Sequence, residues 1–140
     1  MTTPVAADVV SAMRARDRCA EALGIDVIEA GEGYAVVSMT VRADMCNGHG
    51  TCHGGMIFTL ADTAFAFACN SDNVKTVAAA ATIEFLTAVA EGATIRARAE
   101  QRWAMSKSGV YDVTLELVDG TTVAMFRGRS HRVGGSVLVP

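Results

Sequence analysis

The chain has 140 residues, 51% of them hydrophobic and 19% charged, and a net charge of −3. That length suits one domain over 1–140 but is small for a chain that must bury a sizeable ligand by itself, so a site shared between subunits is plausible from the outset. The acidic balance gives no electrostatic footprint of a nucleic-acid binder; Pro4 and Pro140 are the only prolines, which argues against disorder, and no 18-residue apolar stretch is free of charge or glycine, which argues against a membrane-spanning helix.

The opening "MTTPVAADVVSAMRARDRC" lacks the basic start and apolar block of a secretory leader. Cys19, Cys46, Cys52 and Cys69 have no framework spacing, which reads as free thiols in a cytoplasmic chain. Within the N-terminal helical segment, residues 1–23, Val9, Val10, Met13, Cys19, Ala20 and Leu23 recur at helical spacing from Val5 onward, predicting an amphipathic helix with a break near Arg16. "IDVIEAGEGYAVVSMTV" alternates around a reversal at Gly31 to Gly33 and predicts a β-hairpin. The apolar run Met56 to Cys69 is long enough for a helix, closed by Asn70 to Asn73. Four β-type runs follow, "TVAAAATIEFLTAV", "ATIRARAEQRWAM", "VYDVTLELVD" and "TVAMFRGRSHRV". Short turn signals separate them and predict a four-strand antiparallel meander. A helix that is apolar nearly all round must be covered nearly all round. One antiparallel sheet curled around it satisfies this, giving an α+β fold.

One residue resists that pattern. Asp62 is the only charged residue between Asp44 and Asp72, and an ionised carboxylate in apolar surroundings costs several kcal/mol unless paired or hydrogen-bonded. It sits either at a solvated edge of the helix or where chemistry requires it. His53-Gly54-Gly55 opens the helix, and glycines there let another molecule approach unpaired N–H groups at the positive end of the helix dipole. That arrangement suits a phosphate or a developing oxyanion. Gly55 and Asp62 stand seven residues apart, about 10 Å along the axis, so one helix cannot place both on one carbonyl. Two antiparallel copies of the helix would bring Gly55 of one subunit opposite Asp62 of the other, which predicts a dimer with two interfacial sites.

The stretches "NGHGTCHGG", "LADTAFAFACNS", "SKSGVYDV" and "FRGRSHR" resemble the PaaI-type (phenylacetic acid degradation) acyl-CoA thioesterases of the hotdog fold over essentially the whole chain. The resemblance implies a cytoplasmic thioester hydrolase acting on phenylacetyl-CoA or hydroxyphenylacetyl-CoA, a dimer as the minimal active unit, and a homotetramer favoured. It implies that the Gly55 amide polarises the thioester carbonyl, that Asp62 of the partner subunit attacks it or activates water, and that Asn47 bonds the acyl or thioester part. Thr63 would orient the water or the aspartate, or simply pack the helix; His53 would hold the loop or serve structure alone. Coenzyme A enters as part of the substrate, with no other cofactor expected. Lys107, Ser108 and Gly109 in a turn, with Arg127 and Arg129 on one strand face, are candidates for its phosphates, and a solvated surface charge is the competing reading for each cation.

Other chemistries fit less well. Cys46, His49, Cys52 and His53 are all ligand types, but C-x2-H-x2-C-H is too tight for a paired-knuckle zinc site, so no metal is expected. A Cys52 nucleophile would need His49 or the adjacent His53 as its base. A hydratase or dehydratase of acyl thioesters would need a second acid or base, and next to Asp62 there is only Thr63. A catalytically silent acyl-CoA sensor would not need Asp62 at all.

Overall fold

The computed structural model describes residues 5–138; the first four residues of the N-terminal segment and the last two of the chain lie outside the described residues. The predicted N-terminal helix is two helices, α1 (Ala6–Arg16) and α2 (Arg18–Leu23), broken at Asp17. The break has a local cause. Asp17 leaves the helical region (φ −85°, ψ 95°) and its carboxylate accepts the Ala20 N–H at 2.9 Å, capping α2. Helix α1 ends with Arg14 and Arg16, cations suited to the negative end of a helix. Both are anchored to backbone carbonyls outside the helix: Arg14 Nε donates to that of Ile25 at 2.7 Å and Arg16 Nη2 to that of Val137 at 3.1 Å.

The hairpin forms as predicted, β1 (Asp26–Gly31) antiparallel to β2 (Tyr34–Thr40), with Gly33 at φ 70° in the turn. A single 3₁₀ turn (Ala43–Met45) and an ordered loop lead to α3 (Gly54–Asn70). Strands β3 (Val74–Phe85), β4 (Thr94–Met105), β5 (Ser108–Leu117) and β6 (Thr122–Ser136) complete a six-stranded antiparallel sheet in the order β1-β2-β4-β5-β6-β3.

That order corrects the predicted meander. Strand β3 does not pair with β4; it lies at the far edge, paired with β6 from Phe85↔Ala124 to Val74↔Ser136. The connection 86–93 crosses the sheet instead of turning back. Leu86 and Thr87 N–H groups donate to the Val123 carbonyl, the Val89 carbonyl accepts from Cys52, and Gly92 N–H donates to Val41 near the opposite side. Three strand spacings are about 14 Å, and eight extended residues reach about 27 Å, so a short connector permits either topology.

Alternation puts Ile95, Ala97, Ala99, Tyr111, Val113 and Leu115 inward against α3, with Arg96, Arg98, Asp112 and Thr114 outward. Ile57, Leu60, Ala61, Ala64, Phe65, Phe67 and Ala68 bury the other side of that core. The predicted cover is incomplete on one stripe. Gly55, Thr59, Asp62 and Ala66, spaced by four, three and four, run along the helix face that the sheet does not bury. Strand β3 also differs from its neighbours: residues 77–82 are exposed at a sheet edge without a charge between Lys75 and Glu84.

Candidate active site

Helix α3 begins where three local bonds fix the chain. His53 N–H donates to the Met45 carbonyl at 2.7 Å, the His53 carbonyl accepts Met56 N–H at 2.9 Å, and His53 Nδ1 accepts the Gly55 N–H at 3.4 Å. His53 is thus the N-cap residue, and its ring makes only a long contact to the amide that would face a ligand. The two glycines answer to different neighbours. A Cβ on Gly54 would stand 3.2 Å from the Phe85 ring, whereas one on Gly55 would meet only His53 Nδ1, at 3.7 Å. Among the described residues nothing within the chain requires a glycine at position 55.

Asn47 organises the preceding loop. Its Oδ1 accepts from the N–H groups of His49 (2.9 Å) and Thr51 (3.2 Å) and from the Thr51 hydroxyl (3.3 Å), which leaves its amide NH₂ as the group available to a ligand. The loop is bridged to the connector through Thr51↔Ala90.

Asp62 lies two turns along the helix. It is half-buried, and no ion pair reaches it among the described residues. Desolvation, and after it the charge of Asp17, pushes its carboxyl above the ordinary carboxylate range. It borders a cavity of about 480 Å³ walled by Met13, Phe65, Val77, Val133 and Val137, with Arg16 and Asp17 also on its lining. Thr63 beside it is buried, and its hydroxyl donates to the Thr59 carbonyl at 2.7 Å within the same helix.

The remaining sequence candidates gather elsewhere. Strand register sets Ser108 opposite His131, Gly109 opposite Ser130 and Val110 opposite Arg129, so the Lys107 turn and the cationic end of β6 share one end of the sheet. Gly109 is buried there, with Ser130 Oγ and the Tyr111 ring both 2.9 Å from where its Cβ would be. Arg127 and Arg129 do share the outer face, but Arg127 is engaged: Nε and Nη2 donate to the two Asp112 oxygens at 2.6 and 2.9 Å. The Arg132 guanidinium is likewise paired, with Asp72.

Within one chain the structure therefore brings Asn47, His53 and Gly55 together and holds Asp62 apart, in a cavity that none of those three lines. Sequence reasoning missed Arg16 and Asp17 as cavity residues. The available signal was a charged pair interrupting the apolar spacing of the first helix. Phe65 lines the cavity, Phe67 is core, and Met105 is exposed. Among the described residues no three His, Cys, Asp or Glu side chains cluster as a metal site would require, and no helix is long and apolar enough to cross a membrane.

Residues 49–124 match the sequence model of the thioesterase superfamily. Over 126 residues, 90% of each chain, the protein is 53% identical to the acyl-coenzyme A thioesterase PaaI of Escherichia coli. It superposes with a TM-score of 0.92, covering 94% of this chain and 95% of the other, on the solved structure of the E. coli PaaI protein from the phenylacetic acid degradation operon. A mutant of the phenylacetic acid degradation protein PaaI of Thermus thermophilus, 37% identical, superposes at 0.81 over 84% of this chain and the whole of the other.

Proposed function

The chain belongs to the thioesterase superfamily as a PaaI-type acyl-CoA thioesterase of the hotdog fold, and on that premise we propose that it hydrolyses phenylacetyl-CoA or hydroxyphenylacetyl-CoA to the free acid and coenzyme A, at two sites shared across a dimer. The observation that carries the reading is Asp62, a half-buried, unpaired carboxylate opening into an apolar-walled cavity large enough for an aryl-acetyl group. A cytoplasmic location and the absence of a cofactor requirement belong to the same reading.

In this scheme the thioester carbonyl oxygen approaches the Gly55 N–H of one subunit, which exchanges its long contact with His53 for the developing oxyanion. The open space above Gly55 is what lets the substrate come that close. Asp62 of the partner subunit meets the carbonyl carbon, either as nucleophile, forming an anhydride that water then opens, or as general base, removing a proton from an attacking water; both routes end in free acid and thiol. The Asn47 amide donates to the acyl or thioester part, Thr63 braces the segment that carries Asp62, and His53 holds the loop. The cluster of Lys107, Ser108, Gly109 and Arg129 takes the phosphates, with Arg127 held beside it by Asp112.

A second copy is supported by what the single chain leaves bare. The stripe Gly55, Thr59, Asp62, Ala66 has small residues that admit a neighbouring helix closely, and the exposed, uncharged edge of β3 is a surface that soluble proteins cover. Two such dimers associating as a tetramer would complete the proposed assembly.

The test is thiol release from phenylacetyl-CoA by wild type and Asp62→Asn, followed with Ellman's reagent. Turnover by wild type and a loss of at least about 100-fold in the variant, about 2.7 kcal/mol of transition-state stabilisation, is expected, with substrate binding retained. Equal rates in the two proteins, or binding without thiol release by wild type, would reject the role given to Asp62.

A further inference from the structure

Of the four cysteines, all free thiols, two face one another across the loop that precedes α3. Cys46 and Cys52 form an isolated antiparallel bridge, and its type follows from the hydrogen bonds around it. Asn47 N–H donates to the Thr51 carbonyl at 2.8 Å, and His53 N–H to that of Met45 at 2.7 Å. Those bonds bracket the two cysteines instead of joining them. In an antiparallel ladder that arrangement defines the non-hydrogen-bonded pair, with Cα atoms about 4.5 Å apart and side chains on the same side. The separation falls inside the span of roughly 4.4–6.8 Å that a disulfide bridges. The sulfurs are presently turned aside, Cys46 Sγ donating to the Arg42 carbonyl at 3.6 Å and Cys52 Sγ to that of His53 at 3.7 Å. Side-chain rotation alone can bring them together, with the backbone pairing left intact.

We propose that Cys46 and Cys52 are a redox modification site, oxidised by hydrogen peroxide to a reversible disulfide that closes the Asn47–Thr51 turn. The partly exposed Cys46 reacts first. Its thiolate attacks one peroxide oxygen, the O–O bond breaks, and Cys46 sulfenic acid and water result. The Cys52 sulfur then attacks the sulfenic sulfur; the S–S bond forms, the S–O bond breaks, and the departing hydroxide takes the Cys52 proton as a second water. Overall two thiols and one peroxide give one disulfide and two waters, the two electrons coming from the sulfurs. Burial pushes the Cys52 thiol up, consistent with its acting second. Cys69 is excluded by its deep burial, which pushes its thiol up to about 12. The site rests on the geometry of the loop and is independent of the thioesterase reading, although its ring encloses Asn47 and ends beside the N-cap His53.

The experiment uses the full chain with Cys19→Ser, which removes the exposed thiol on α2. The protein is treated with stoichiometric hydrogen peroxide and alkylated under denaturant. Titratable thiols should fall from three, the four cysteines less Cys19, to one. The tryptic peptide 43–75, which holds all three, should become two hydrogens lighter, with the surviving alkylation on Cys69 and full recovery in dithiothreitol. Adding Cys46→Ser should leave Cys52 reduced. Three persisting thiols, oxygen adducts on Cys46 with Cys52 unchanged, or a bond to Cys69 or between subunits would each overturn the proposal.

Discussion

Replacing Gly128 by alanine tests whether the site wall is set by packing between β6 and α3. A Cβ built at Gly128 lies 2.8, 2.8 and 2.9 Å from three ring carbons of Phe65, against an optimum of about 3.5–4.0 Å. The ring must therefore retreat by roughly 0.7 Å or more. It has little room: Phe65 is 1% exposed, and its centroid lies 5.6 Å from that of Tyr111 and 5.8 Å from that of Phe126. Overpacking of this kind costs about 1–3 kcal/mol, partly offset by about 0.5–1 kcal/mol from removing a glycine from a strand. A net loss of about 1–2 kcal/mol should appear as a fall of roughly 3–8 °C in melting temperature for a chain of this size, at fixed protein concentration. The cause is checked in a Phe65→Leu background, where the clashing ring is absent and Gly128→Ala should cost less than half as much. An equal loss in both backgrounds, or no loss in the wild type, would refute the steric account. Because Phe65 also lines the Asp62 cavity, the single variant should raise KM for aryl thioesters.

Asn70, 4% exposed, clamps the end of α3 to the start of β3 by donating to the Ala66 and Thr76 carbonyls and accepting the Thr76 N–H at 2.9 Å. Asn70→Ala strands the buried Thr76 groups and should cost about 2–4 kcal/mol by urea denaturation. The raised carboxyl of Asp62 means that the folded chain holds this proton more tightly than the unfolded one. That contribution is complete below the ordinary carboxylate value, about pH 4, and is lost as pH rises through the raised folded value. Asp62→Asn should therefore be more stable relative to wild type at pH 7 than at pH 4. The acid limb of kcat/KM should turn above the ordinary value, and Asp17→Asn should move it down. Arg127→Ala, which breaks an exposed pair with Asp112, should leave the urea midpoint close to that of wild type. Arg129→Ala should raise the KM for acyl-CoA and leave that for a short acyl-N-acetylcysteamine thioester unchanged.

What the sequence made legible followed from periodicity and punctuation. The apolar run ending in Cys69, the hairpin around Gly33 and the alternation of β5 each encode their element within a dozen or so residues, and each formed where expected. The place of β3 did not follow, because a connector of eight residues permits either a turn or a crossing and the choice is made by contacts with Val41, Cys52 and Val123, far away in sequence. The alanine-rich 78–81 segment carried a hint, since it alternates in neither direction. At the site, Asp62 stood out as a lone charge in an apolar run. The cavity beside it did not, because Met13, Arg16 and Asp17 reach it from α1 and its end, far away in sequence from Asp62.

The separation of Gly55 from Asp62 on one straight helix makes the shared-site reading testable without a structure of the dimer. If each site draws the amide from one subunit and the carboxylate from the other, two inactive variants must complement. Gly55→Val is a suitable first variant because within the chain a Cβ there meets only His53 Nδ1, at 3.7 Å, while the side chain keeps a carbonyl from the amide; gel filtration checks that the variant still dimerises, since Gly55 lies on the stripe proposed to face the partner helix. Asp62→Asn is the second. In a one-to-one mixture that exchanges subunits freely, half of the dimers are mixed. Each mixed dimer has one site with both defects and one with neither, so about a quarter of wild-type activity should return, from two parents that are each nearly inactive. Were both groups to act within a single chain, every site in the mixture would carry one defect, and mixing would restore nothing.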